Sequence, residues 1–120
     1  MKRAVVPALA IVLAASCASA RPTTAAYAVA ARGACGDAEL VKKELIAMRQ
    51  RHVTRPEAAR VLAAAARRID ERAGTAGGGA WRLRDLAASL RVMRATIVDR
   101  GDEGVASRDA GVTRAEVGCA

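Results

Sequence analysis

The sequence predicts an all-α fold: a small antiparallel three-helix bundle with an irregular fourth helical segment, stapled by one disulfide. Three observations carry that expectation. Leu83, Leu86, Leu90, Met93 and Ile97 recur at alternating steps of three and four, the period of a helix stripe turned toward a core. The stretch "TRPE" at 54–57 has the form of a capping box, a helix start signal. No stretch alternates apolar and polar residues in the period-two manner of a half-buried strand.

The chain opens with the layout of an export leader. Lys2 and Arg3 give a positive start, "AVVPALAIVLAA" at 4–15 is an apolar run, and small residues follow. The run is short of the ~20 apolar residues a membrane-spanning helix needs. Two cleavage points fit. Ala18-Ser19-Ala20 is a small-x-small signature with the cut after Ala20. The segment from Leu13 to Cys17 resembles a lipobox, the junction at which bacterial lipoproteins are cut and a lipid is attached to the cysteine. It departs from that pattern at Ala14, where leucine is preferred, and at Ser16. The resemblance implies Cys17 as a lipidation candidate. The apolar run meets Ser16-Cys17 with no polar spacer, which favours that junction.

Residues 1–20 are therefore read as a signal peptide. Residues 21–34, "RPTTAAYAVAARGA", are read as a flexible tether whose alanines can form a loose helix, and 35–120 as the helical domain. The mature chain has 100 residues if the cut follows Ala20 and 104 if it precedes Cys17. That is one small domain with a marginal core.

Each helix has its own signals. The first is expected from Asp37 to about Arg51, with Ala38, Val41, Leu45 and Met48 on one face. Asp37 and Glu39 suit the positive end of the helix dipole, and Arg49 and Arg51 the negative end. His52 is read as a helix-end residue. The second starts at the Thr54 cap, tolerates Pro56 in its first turn, and continues through Val61 or Leu62, Ala65, Ile69 and Ala73 to a stop at Gly74. "GTAGGG" at 74–79 reads as a flexible loop. The third runs from about Ala80 to Arg100, where Gly101 ends it. Its stripe spans barely two heptads, too few for a coiled-coil dimer, so it is expected to be an internal seam of a monomer. Trp81 is expected to lid the bundle end, the alternative being a partner or lipid contact.

Residues 102–118 are ambiguous. Gly104, Gly111 and Gly118 weaken a helix, and only Val105, Val112 and Val117 are large and apolar. The cysteines supply the missing constraint. Cys17 leaves with the leader or carries lipid, which leaves Cys35 and Cys119 to pair in an oxidising compartment. The last segment must then travel back along a third helix about 30 Å long.

Charge and chemistry narrow the function. The chain has 20 basic and 12 acidic residues, net +8, and losing Lys2 and Arg3 with the leader leaves +6. Seventeen of the basic residues are arginine and three are lysine. With the abundant alanine and glycine, that skew has the look of a high-GC bacterial genome. A basic surface attracts anionic lipid, cell-wall polymer or nucleic acid. Here, however, acids are interspersed, as around Arg67, Arg68, Asp70, Glu71 and Arg72, the pattern of solvated helix faces. Tyr27 and Trp81 are the only aromatics, so no nucleic-acid partner is expected.

His52 has no nucleophile in its sequence context. "GGG" at 77–79 lacks the lysine and preceding strand of a phosphate loop, and the cysteine and histidine content gives no zinc spacing. No catalytic, cofactor-binding or metal-binding residue is expected. The reading is a non-catalytic interaction module, an envelope lipoprotein or a secreted protein, whose partner is an envelope or extracellular protein. The alternative is an arginine-rich binder of anionic cell-wall polymers or lipid headgroups.

Overall fold

A computed structural model describes the backbone of residues 2–119, with side-chain surroundings for 25–115 and 117–119. Cys17 and both cleavage points lie outside the residues whose side chains are described. Four helices follow one another: α1 (Lys2–Arg49), α2 (Arg55–Ala73), α3 (Ala80–Arg100) and α4 (Glu103–Val117), with a 3-10 turn at Gly77–Gly79. Each helix packs on its chain neighbours, α4 also closes on α1, and α1 and α3 touch only lightly across the diagonal. This is an up-down-up-down four-helix bundle.

The expected stripes form its core. Val41, Leu45, Leu62, Ile69, Leu83, Leu86, Leu90, Met93 and Ile97 are the largest fully buried side chains. Alanines fill the space between them and let the helix backbones come close.

The tether expectation is corrected from residue 25 onward. Residues 25–34 continue α1, and Ala30 and Ala34 are buried in the core. The first helix therefore starts well before Asp37. The physical reason is that Ala30 and Ala34 extend the Ala38–Val41–Leu45–Met48 face by two turns and have partners to bury against.

Thr54 caps α2 as expected. Its Oγ1 accepts from the Glu57 amide at 3.3 Å, and Glu57 Oε2 accepts from the Thr54 amide at 3.2 Å. Thr54→Ala is expected to cost about 1 kcal/mol in denaturant unfolding. An unchanged midpoint would show that the box contributes nothing in solution.

The 74–79 loop is ordered by packing: Ala76 is fully buried in it, and the ring of Tyr27 lies where a side chain on Gly79 would be. α3 ends at Gly101, whose φ of 65° only glycine adopts without strain, and a Cβ there would meet the Arg55 guanidinium at 2.7 Å.

The fourth segment is also corrected: it is one continuous helix. Asp102 caps it, its side chain accepting from the Val105 amide at 3.2 Å. The expected valine anchors do not hold it as a set. Val112 is 60% exposed, whereas Ala106, Ala110 and Thr113 are buried and Val117 packs at the edge of the core. Small residues at steps of four and three let α4 approach its neighbours closely, so the glycine-weakened helix is stabilised by docking rather than by propensity. Gly118, at φ 83°, then turns the chain, and Cys119 joins Cys35 with 5.5 Å between their Cα atoms.

Candidate interaction surfaces

Some of the charges that look like solvated helix faces in sequence are contacts between helices. Asp37, 5% exposed in the middle of α1, accepts from Arg68 Nε on Oδ1 and from Arg72 Nε on Oδ2, each at 2.9 Å. Gly33, one turn earlier on α1, leaves the room that the Arg72 guanidinium occupies. The expectation that Asp37 serves the dipole of a first turn is thus corrected: its role is to hold α2 on α1. The cluster binds one acid to two half-exposed arginines and leaves a positive surplus at the seam. Arg91 pairs with Asp70 between α3 and α2, and Arg114 with Glu39 at 2.8 Å between α4 and α1.

Among the described residues four open surfaces stand out. Between α2 and α3 runs an apolar groove of about 490 Å³. Pro56, Ala59, Ala63 and Val98 form its apolar part, and Arg55, Arg60 and Arg94 border it. Val98 is 54% exposed. Among the described residues Arg60 and Arg94 have no ion pair. Between α3 and α4 a second groove of about 500 Å³ exposes Val92 and Val112 and is bordered by Asp85 and Asp109. The two grooves thus carry opposite charge at their edges, and the second is the more polar, with Ser89 and Thr113 in its lining.

The third surface is a polar basin of about 560 Å³ at the α1–α2 turn. Arg49, Arg51, His52, Arg55, Glu57 and Glu103 line it. His52 is exposed and its amide donates to the Ala47 carbonyl at 2.8 Å, which bears out its reading as a helix-end residue. Glu103 sits at the start of α4 on the rim of this basin. Its own backbone amide, at the start of α4, and then the Arg55 guanidinium at 3.0 Å hold its carboxyl below the usual glutamate range. A carboxyl lowered in the folded state stabilises the fold above its unfolded pKa, and that contribution is lost as the pH falls through the folded value. Arg55→Gln is expected to move the Glu103 midpoint upward in an NMR titration, without restoring it fully because the amide remains. A midpoint that stays in place would show that Arg55 does not act on it.

The fourth surface is the bundle end formed by Tyr27, the glycine turn and the start of α3. The expectation that Trp81 lids this end is corrected. Tyr27 does that, packed against the core, while Trp81 is 59% exposed. The Arg82 guanidinium stands 5.3 Å from the Trp81 ring centroid and 6.0 Å from that of Tyr27. Both distances are within cation–π reach.

The sequence-predicted Cys35 and Cys119 are brought together as a disulfide. Among the described residues, no three of His, Cys, Asp and Glu converge where a metal ion could be held. No described helix is long and apolar enough to cross a membrane. The Asp37 cluster and the Arg82 contacts with Trp81 and Tyr27 were not foreseen. Asp37 falling inside an apolar stripe, and Arg68 and Arg72 one turn apart, are the signals that could have pointed to the first.

In comparisons with protein-family models, curated proteins and solved structures, the chain finds no match in any of the three, so what bears on its function is the chemistry of these surfaces.

Proposed function

We propose that this chain is an exported, non-catalytic helical interaction module held at the cell envelope through a lipid on Cys17. The observation that carries the reading is the Cys35–Cys119 bridge, which ties the start of the domain to its end. Such a bridge persists in an oxidising compartment, and a charged start followed by an apolar run is the route to one. The two grooves suit a protein partner: each offers an apolar floor with charged edges on helices whose positions the core sets. The partner class is an envelope or extracellular protein.

A second reading has its own support. Arg60 and Arg94 beside an apolar groove suit an anionic polymer or lipid headgroup as well as an acidic protein segment. Ionic strength separates the two, because polymer binding falls steeply with salt and a packed apolar interface does not.

The test of the main reading is the intact mass of the mature protein isolated from cells. A chain beginning at Cys17 with the added mass of acyl groups is the expected result. A chain beginning at Arg21 with no added mass rules out the anchor, and a chain retaining Met1 rules out cleavage at either junction.

A further inference from the structure

We propose that the bundle end carrying Trp81 and Arg82 rests on an anionic lipid bilayer, with Trp81 in the headgroup region and Arg82 against lipid phosphate; this extends the envelope-anchored reading above.

The first observation is where the end lies. α1 enters the bundle at Tyr27, and the apolar run at 4–15 is upstream of it on the same helix. Tyr27 stands ten positions after Cys17, about 15 Å if helical and at most about 35 Å if extended. A lipid on Cys17 therefore keeps this end of the bundle, and not the Arg51–Arg55 end, close to a bilayer.

The second observation is what the end presents. Tyr27 and Gly79 pack together and seal the core. Trp81 is then superfluous as a lid and stands 59% exposed, beside a shallow hollow bordered by Arg82, Asp85 and Val117. Arg82 makes no ion pair among the described residues, with Asp85 or any other acid. Its guanidinium stands over the Trp81 and Tyr27 rings, beside the exposed indole.

An amphipathic indole beside an unpaired cation is the pair that a bilayer interface takes best. The ring sits at headgroup level and the charge meets anionic lipid. The two grooves proposed above for a protein partner look different: their apolar residues are valine, alanine and proline. The contact would also serve a purpose, because lipid attachment alone leaves a domain free to swivel, and a second contact fixes which grooves face away from the membrane.

Trp81 is the only tryptophan, so its emission reports this surface alone. The mature protein is added to phosphatidylglycerol-containing vesicles and to vesicles of phosphatidylcholine alone. The expected result is a blue shift of Trp81 emission and quenching by bromine-labelled acyl chains in the first, with at most half that response in the second. Arg82→Gln, with its helicity checked by circular dichroism, is expected to raise the phosphatidylglycerol needed for half the shift about fivefold.

Unshifted, unquenched emission on phosphatidylglycerol vesicles overturns the proposal. So does the same shift with soluble polyphosphate, or a shift that grows with protein concentration in the absence of vesicles, which would mean that a second copy covers Trp81. Vesicle-bound protein with unshifted emission would remove the Trp81 contact and leave the anchor standing. A shift in protein shown by mass to begin at Arg21 would do the reverse.

Discussion

Cys119→Ser is expected to lower the stability of the domain by about 2–5 kcal/mol. Eighty-three residues lie between the bridged cysteines. Closing a loop of that length in the unfolded chain is worth about 4–5 kcal/mol in the chain-entropy model, although measured gains are often smaller. Against a total of roughly 5–15 kcal/mol for a small domain, the bridge is a large share.

The structure also says where the loss is felt. α4 is weak by composition and is held by Ala106, Ala110 and Thr113, by the Asp102 cap, and by two inter-helix ion pairs, Arg55–Glu103 and Arg114–Glu39. Both pairs are partly solvated, so water screens each of them and neither can hold α4 alone. Without the bridge the turn at Gly118 and the last two turns of α4 are expected to fray first. Limited proteolysis should then cut after residue 110, while the α1–α3 helicity in circular dichroism is largely kept. Equal denaturation midpoints with and without reductant would sink this account, as would free thiols at both cysteines on peptide mapping of the isolated protein.

Where the sequence carries contrast between faces, it foretells the fold; where contrast is missing, it does not. The α3 stripe sets leucine, methionine and isoleucine against arginine and aspartate, and all five of its expected core residues are buried. Alanine is spread over every side of the 21–34 segment, so the face formed by Ala30 and Ala34 has no signature until α2 is there to cover it. In α4 size misleads. Valines look like anchors, but a close helix approach takes small side chains, and the helical register turns Val112 outward.

The polar contacts are hidden for another reason. Asp37 meets arginines 31 and 35 residues further on, and no local spacing encodes that distance. Asp37 near an apparent helix start also has a sufficient local explanation in the dipole, which obscures its role between helices. Of the surfaces, Cys35–Cys119 follows from counting cysteines, whereas the exposure of Trp81 depends on Tyr27 reaching Gly79 across the bundle end.

Leu90→Ala is expected to cost about 3–5 kcal/mol, toward the upper end of the range for buried leucine. Leu90 is 1% exposed and sits at the centre of the α3 stripe, which supplies five of the nine largest fully buried side chains. What decides the cost is how far neighbours can relax into the space left behind. Much of the surrounding core is alanine: Ala58, Ala65, Ala66, Ala87, Ala106 and Ala110 have no rotamer that could swing into a void. The helix backbones would have to move instead, and the Cys35–Cys119 bridge and the Asp37 cluster resist that at one end. A cavity therefore persists, and its cost adds to the lost transfer free energy.

Two comparisons isolate the effect. Leu90→Met conserves volume and should cost less than about 1.5 kcal/mol. Val92→Ala, two residues on but 64% exposed, should stay within about 0.5 kcal/mol. In a domain of this size each kcal/mol is worth roughly 4–8 °C, so Leu90→Ala should lower Tm by more than about 12 °C. A loss below about 0.5 kcal/mol would place the stripe on the surface and the bundle with it in error. A loss near 2 kcal/mol would keep the bundle and show instead that its alanine-lined interior collapses more readily than close helix packing implies.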